Sequence, residues 1–187
     1  MTTLHLPVGP RDHVQGPADA PVTLVEYGDY QCPYCAKAHP IVLALQARLG
    51  DQLRFVFRNF PLTRIHRDAL PAAVAAESVA QLAGPEAFWA MHHLIFEHQR
   101  DSADALRAPK LLGYAAEAGA DAEQVARYLD SAELTTRVRE DFMSGVRSGV
   151  NGTPTFFING ERFDGDWTDA EGFTRALIRA AEAGVTA

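Results

Sequence analysis

The sequence predicts an α/β fold in which an inserted all-helical domain separates a βαβ half from a ββα half. In the first third of the chain, two short runs rich in β-branched and aromatic residues flank an amphipathic segment. From about residue 67 to residue 146 the chain is rich in Ala, Leu and Glu, and a hairpin pattern follows. Because a strand, a helix and a strand in about forty residues form a βαβ unit, we expect one small α/β core interrupted by helices.

The βαβ half is assigned to residues 14–63. Its first strand is predicted at Val22–Gly28, a mostly apolar run that suits a buried strand. Residues 36–50 carry apolar side chains along one helical face and predict a helix. Residues 52–60 alternate in polarity and predict a second strand, which Pro61 ends.

The inserted helical domain is assigned to residues 64–147, where Gly and Pro punctuation predicts four or five helices. A β-branched and aromatic strand is predicted next, at Thr155–Ile158. The Asn159-Gly160 pair predicts a tight hairpin turn, and residues 161–163 predict its antiparallel partner strand.

The two ends of the chain differ in regularity. Residues 1–21 are rich in Pro, Gly and Asp and predict an irregular lead-in. The ββα half, residues 148–187, closes with an amphipathic helix. Thr168 is predicted to cap that helix, and Glu171, three residues later, would complete a capping box.

Composition and charge argue against several partners and locations. Seventeen basic against twenty-four acidic residues give a formal net charge of −7, which disfavours nucleic-acid binding. No run approaches eighteen apolar residues, so no membrane span is expected. The first residues lack a basic start followed by an apolar run, so we expect a cytoplasmic protein, or a periplasmic or extracytoplasmic one if a signal was trimmed.

Both cysteines of the chain lie in the segment Cys32-Pro33-Tyr34-Cys35. A residue before proline avoids the helical region, whereas proline is tolerated at the first helical position. Cys32 is therefore predicted to be the N-cap of the helix. There its sulfur would face unpaired backbone N–H groups and the positive end of the helix dipole. We expect Cys32 to be an acidified, exposed nucleophile and Cys35, one turn deeper, to be the shielded resolving thiol.

Glu26 lies six residues before Cys32 in the otherwise apolar first strand. A buried carboxylate has a raised pKa and exchanges protons near neutral pH. One hypothesis is that Glu26 relays a proton to or from Cys35. The alternative is a solvated glutamate at the edge of the sheet.

Other uses of a cysteine pair fit the sequence less well. A zinc site needs four ligands, and a set of Cys32, Cys35 and His39 would still lack one, so no metal is expected. Haem attachment needs His directly after the second cysteine, where Ala36 stands. A purely structural disulfide across four residues would constrain the unfolded chain little. No cofactor is expected beyond the redox-active Cys32–Cys35 disulfide itself.

A second motif, Thr153-Pro154 at the start of a predicted strand, lies well over a hundred residues after the cysteines. With it, the chain from about residue 14 resembles the DsbA-like branch of the thioredoxin superfamily, a thioredoxin fold with a helical insertion. The matching residues are Glu26, Cys32, Cys35, Pro40, Thr153 and Pro154. The resemblance implies a cis peptide bond at Thr153-Pro154, packed against the cysteine pair. It also implies that the Thr153 backbone pairs with an extended substrate.

The resemblance implies a protein disulfide oxidoreductase that acts on protein or peptide thiols and disulfides. Pro33 and Tyr34 between the cysteines, together with Thr153 and Pro154, are the predicted substrate-binding residues. The redox partner stays open among glutathione, the thioredoxin system and a membrane oxidase. The alternative function is a peptide-binding chaperone or a redox-sensing module without turnover.

The dipeptide between the cysteines departs from strongly oxidising DsbA proteins, which carry His where this chain has Tyr34. The Pro33-Tyr34 pair is similar to that of glutaredoxins. The potentials are about −120 mV for DsbA and about −200 to −230 mV for glutaredoxins. We therefore expect this chain to be less oxidising than DsbA.

Two further groups of residues carry weaker signals. His92, His93 and His98 lie on one predicted helix, but neighbouring positions diverge by about 100°, so packing or surface roles are predicted. Arg58 could stabilise a thiolate or be an ordinary solvated side chain.

Overall fold

The structure is a computed structural model that describes residues 2–185. Within these residues the chain forms one five-stranded sheet and seven α-helices. The strands are β1 (His13–Gln15), β2 (Val22–Gly28), β3 (Leu53–Asn59), β4 (Thr155–Ile158) and β5 (Glu161–Arg162). The helices are α1 (Pro33–Leu49), α2 (Ala69–Ala83), α3 (Pro85–His98), α4 (Ala108–Glu117), α5 (Ala122–Tyr128), α6 (Ala132–Arg147) and α7 (Ala170–Val185).

The sheet has the order β1-β3-β2-β4-β5, so β2 lies at its centre. β2 runs parallel to β3, with Val22 opposite Leu53, because α1 crosses over between them. β4 pairs antiparallel to β2 on the other side, with Glu26 opposite Phe156. The βαβ half, the helical block and the ββα half thus occur in the predicted order, and the predicted fold class is confirmed.

Five helices, α2 to α6, lie between β3 and β4, within the four or five that the sequence predicts. α2 packs against α3, α4, α5 and α6. Its segment from Ala72 to Val79 is buried all round, as expected for the central helix of a helical block.

The hairpin follows its sequence signal closely. Asn159 and Gly160 both have positive φ, 47° and 84°, which a type I′ turn requires and which this residue pair tolerates. The Asn159 side chain also accepts a hydrogen bond from the Thr23 backbone N–H at 2.7 Å. This contact ties the turn to the start of β2.

Two sequence predictions are wrong at the chain ends. The lead-in is not wholly irregular, because β1 pairs antiparallel with β3, and the Trp89 indole donates a hydrogen bond to the Val14 carbonyl at 3.1 Å. The last helix is capped by Asp169, whose carboxylate accepts from the Gly172 N–H at 3.0 Å. Thr168 instead donates to Asp166.

The sequence predicts no membrane-spanning segment. None of the helices in residues 2–185 is long and apolar enough to cross a membrane.

Candidate functional site

The cysteine pair lies at the N-terminus of α1, directly beyond the carboxyl end of the central strand β2. Cys32 is the N-cap residue, with extended backbone angles of φ −72° and ψ 122°, and Pro33 begins the helix. The Cys32 carbonyl already accepts the Ala36 N–H at 3.2 Å. The predicted cap position of Cys32 is confirmed, and it follows from the restriction that Pro33 places on the residue before it.

The sequence predicts an exposed Cys32 side chain, and this prediction is wrong. Cys32 as a whole is only 3% exposed. Its thiol donates a hydrogen bond to the Thr153 carbonyl at 3.3 Å, so the loop before β4 covers the sulfur. The neighbouring Pro33 and Tyr34 are exposed, Tyr34 to 59%. An incoming chain would therefore meet these two residues first and the sulfur behind them.

The surroundings of Cys32 favour its thiolate. A hydrogen bond from the Cys35 thiol lowers the pKa of Cys32 to about 5, although burial opposes this. For the ionised sulfur, a hydrogen bond from the Thr153 hydroxyl and the backbone N–H groups of Cys35 and Tyr34 lower the pKa further. At neutral pH Cys32 is therefore mainly the nucleophilic thiolate.

Cys35 has the opposite environment. It is fully buried, and the Asp29 N–H lies 3.4 Å from its sulfur. Burial raises the pKa of Cys35 well above its usual value, and hydrogen bonding to Cys32 and the charge of Glu26 raise it further. Two thiols three residues apart thus differ strongly in acidity, because one caps the helix and the other points into the core.

Glu26 is buried, at 3% exposure, because it lies on the central strand β2. The alternative of a solvated edge glutamate is therefore wrong. Burial raises the pKa of Glu26 to about 8, and the negative charge of Cys32 adds to the shift. A carboxyl group that titrates near neutral pH thus lies within electrostatic reach of both cysteines.

The loop before β4 completes the site. The Thr153–Pro154 peptide bond is cis. The hydroxyl oxygen of Thr153 is buried and has no hydrogen-bond partner among the described residues. It is therefore free to donate to Cys32 once that sulfur has lost its proton.

Comparison with known proteins adds the family. A family model described as thioredoxin matches residues 9–178. The chain belongs to the thioredoxin family. Among solved structures, the thioredoxin-family chain is similar to oxidised BdbD from Bacillus subtilis, with 26% identity and a TM-score of 0.82 over 92% of this chain and 94% of that one.

Two more solved structures match this thioredoxin-family chain. A thioredoxin-like oxidoreductase from Silicibacter pomeroyi is 27% identical, with a TM-score of 0.70 over 90% of this chain and 94% of that one. Wolbachia pipientis alpha-DsbA1 has 19% identity and a TM-score of 0.81 over 98% and 96%, which shows the shared fold. The thioredoxin-like fold and the resemblance to its DsbA-like branch are confirmed.

Curated relatives of the thioredoxin-family chain are longer proteins. A protein named Na(+)/H(+) antiporter NhaA 1 from Salinispora arenicola is 42% identical over 95% of this chain. One of the same name from Mycolicibacterium vanbaalenii is 43% identical, also over 95%. The chain spans about a quarter of the length of these relatives, 26% and 27%.

Sequence reasoning missed one residue that shapes the site of this thioredoxin-family protein. Asp29, buried in the turn between β2 and α1, accepts hydrogen bonds from the backbone N–H groups of Gln31 at 2.7 Å and Leu62 at 2.8 Å. Its second oxygen also lies 2.8 Å from His66. The signal was an acidic residue at the end of an apolar strand, where backbone N–H groups need acceptors.

Arg58 and His98 are not part of the site. Arg58 is 1% exposed and ion-paired with Asp12 at 2.7 Å, so it is neither solvated nor in contact with Cys32. His98 lies 2.7 Å from the Asp101 carboxylate at the end of α3.

Replacing Thr153 by Val is expected to raise the pKa of Cys32 by about 1 unit, since a hydrogen bond to a charged group contributes roughly 1.5 kcal/mol or more. The measurement is the ultraviolet absorbance of the thiolate as a function of pH. Thr174→Val is the matched control, because that hydroxyl bonds the Ala170 carbonyl within α7. An unchanged pKa of Cys32 in Thr153→Val would mean that the Thr153 hydroxyl does not stabilise the thiolate.

Proposed function

We propose that the chain is a protein thiol–disulfide oxidoreductase that exchanges disulfides with protein thiols through the Cys32–Cys35 couple. The supporting observation is the contrast in acidity between the two thiols, with the pKa of Cys32 lowered to about 5 and that of Cys35 raised. Rapid exchange needs a thiolate to attack and a second thiol that stays protonated until it is used.

In the reducing direction, the Cys32 thiolate attacks one sulfur of a substrate disulfide. A mixed disulfide forms, and the other substrate sulfur leaves as a thiolate and takes up a proton. Cys35 then loses its proton and attacks the Cys32 sulfur, which releases the second substrate sulfur. Two electrons pass to the substrate, and the protein is left with the Cys32–Cys35 disulfide. The oxidising direction is the same sequence reversed.

Glu26 is the proposed proton acceptor for Cys35 in the resolving step. The negative charge of Cys32 contributes to the raised pKa of Glu26, about 8, and this charge is lost when Cys32 enters the mixed disulfide, so the carboxyl group ionises more readily at the step in which it must accept the Cys35 proton. In this proposal the couple itself carries the electrons, so no further cofactor takes part.

The proposed substrate is an extended protein or peptide segment. The exposed Pro33 and Tyr34 would contact it on one side of Cys32. The loop at Thr153 and Pro154 would contact it on the other, because the Thr153 carbonyl already bonds the sulfur that the substrate must reach. The antiporter activity in the names of the longer relatives is not proposed for this chain, which spans only about a quarter of them.

Turnover with single-cysteine variants tests this proposal. In insulin reduction and in oxidative refolding of a reduced substrate, Cys32→Ser is expected to lose at least about 1,000-fold in rate, because the nucleophile is gone. Cys35→Ser is expected to accumulate a mixed disulfide through Cys32, visible on non-reducing gels. If the unmodified protein binds peptide but never turns over, the alternative of a chaperone or redox-sensing module replaces this proposal.

A further inference from the structure

Three histidines from two helices form a cluster next to the cysteine pair. His39 comes from α1, one turn beyond Cys35, and His92 and His93 come from α3. One ring nitrogen of each lies within 4.8 Å of the other two. We call these three residues the histidine cluster. It arises because α1 packs against α3, which the spacing of histidines along the sequence does not reveal.

The spacing of these nitrogens fits a tetrahedral metal site. Nε2 of His39 lies 3.3 Å from Nδ1 of His93. Zinc–nitrogen bonds of about 2.0–2.1 Å at tetrahedral angles place two ligand nitrogens about 3.4 Å apart. The pair is therefore already at ligand spacing, and a nitrogen of His92 lies within 4.8 Å of both, near enough to be the third ligand.

The position of the His92 ring is fixed by its neighbours. Nδ1 of His92 lies 3.1 Å from the Tyr30 hydroxyl, which leaves Nε2 for another partner. A metal-binding histidine commonly has its second nitrogen held in this way by an outer group. Phe57 and Phe96, with ring centroids 4.6 and 5.0 Å from that of His92, hold the ring from two sides.

The cluster is available in the form that metals bind. Metal coordination needs neutral imidazoles. Burial lowers the pKa of His39 to about 4 and that of His92 well below its usual value, and it also lowers the pKa of His93. His39 and His92 are buried, whereas His93 is half-buried, so an ion could reach the cluster from the His93 side.

We propose that the histidine cluster binds a zinc-type divalent transition-metal ion through one nitrogen each of His39, His92 and His93. A fourth position, on the half-buried side, is left for water. Imidazole ligands select such ions over Mg²⁺ and Ca²⁺, which prefer oxygen. The bound ion would connect the helix that carries the cysteines to the inserted helical domain. The proposal does not depend on the oxidoreductase activity.

The test separates the cluster from the two thiols, because thiolates are also zinc ligands. Zinc is titrated calorimetrically into the Cys32→Ser/Cys35→Ser protein, and one ion per chain with micromolar or tighter affinity is expected. Adding His93→Gln to that protein is expected to weaken binding at least about 100-fold, since even loss of an outer-sphere partner costs 10–100-fold. Adding His98→Gln instead, on the same helix but outside the cluster, should leave the affinity unchanged.

Two further measurements test whether a loss of zinc binding in His93→Gln comes from the lost ligand and not from unfolding. Thermal unfolding without metal checks that His93→Gln still folds, and added zinc should raise the unfolding temperature of the parent protein but not of this variant. Co²⁺ bound at the cluster should give the intense visible absorption of a tetrahedral site. Binding weaker than micromolar in the parent protein, or equal affinity with and without His93, would overturn the proposal.

Discussion

Replacing Glu26 by Gln is expected to stabilise the reduced protein by an amount that grows as the pH rises from about 5 to about 8. In the folded protein the pKa of Glu26 is raised from 4.5 to about 8. Across this window the folded state keeps a proton that the unfolded state has lost, so the unmodified protein loses stability with rising pH. Gln imitates the protonated carboxyl group and removes that loss.

The size of the gain in stability follows from the pH range over which the folded and unfolded states differ in the protonation of Glu26. Each pH unit contributes at most about 1.4 kcal/mol, so the gain from Glu26→Gln should reach about 4 kcal/mol between pH 5 and pH 8 and then level off. Cys32 affects the free energy of unfolding in the opposite direction. Its pKa is lowered from 9.0 to about 5, so its contribution to stability grows with pH. That contribution is present in both proteins and cancels in their difference, apart from the electrostatic coupling between Glu26 and the Cys32 thiolate.

The measurement is urea unfolding of both proteins under reducing conditions at several pH values. Glu161→Gln, at an exposed position of β5, is the control and should show no growing gain. If the difference in unfolding free energy between Glu26→Gln and the unmodified protein stays constant with pH, Glu26 does not hold its proton to near pH 8.

The same variant tests the proton relay. Resolution of a mixed disulfide by Cys35 is expected to slow by about 100-fold or more in Glu26→Gln, since general base catalysis contributes 10²–10⁴-fold. Rapid-quench kinetics with a pre-formed mixed disulfide measures this step alone. An unchanged rate would mean that Cys35 passes its proton directly to water.

The parts of the fold that could be predicted are those whose signals are local. Residues 22–28 form a strand because they are mostly apolar and rich in β-branched side chains, and Asn159-Gly160 turns because both residues tolerate positive φ. β1 could not be predicted, since its three residues become a strand only by pairing with β3. The cap of α7 was misplaced by one residue because Thr168 and Asp169 are both good caps, and Thr168 is held by Asp166 instead.

The features of the site that could be predicted are likewise those that depend on neighbouring residues. The cap position of Cys32 depends on its neighbour Pro33 and was predictable. Its burial does not follow from local sequence, because Thr153, which covers it, lies 121 residues away along the chain, and only the DsbA-like resemblance placed that loop against the cysteines. The histidine cluster likewise joins His39 to α3, where His93 lies 54 residues later along the chain. Without a family resemblance, the pattern of residues in a single sequence carries no signal of contacts at that range.

The reduction potential of the Cys32–Cys35 couple is expected to lie at roughly −180 to −220 mV, between those of thioredoxin and DsbA, which are about −270 and −120 mV. The nucleophilic thiols of those proteins have pKa values of about 7 and 3.5. The pKa of Cys32, about 5, lies between them. A more stable thiolate stabilises the reduced form and makes the disulfide more oxidising, by about 30 mV per pKa unit.

We attribute the expected difference in potential from DsbA to the missing histidine between the cysteines. Tyr34 occupies the position between the cysteines where DsbA proteins carry His; it is 59% exposed, and the Lys37 ammonium lies 5.4 Å from its ring centre. Tyr34→His is therefore expected to lower the pKa of Cys32 and to raise the potential by about 30 mV for each unit of that shift. Tyr34→Phe keeps the ring without a donor and should leave both quantities near those of the unmodified protein.

Equilibration with glutathione buffers gives the potential, and thiolate absorbance against pH gives the pKa in the same three proteins. The two quantities must move together if thiolate stability sets the potential. A potential near −120 mV in the unmodified protein would mean that strain in the disulfide, rather than the acidity of Cys32, drives oxidation. Equal shifts in Tyr34→His and Tyr34→Phe would instead trace the effect to the lost hydroxyl, and the charge beside the sulfur would have no part in it.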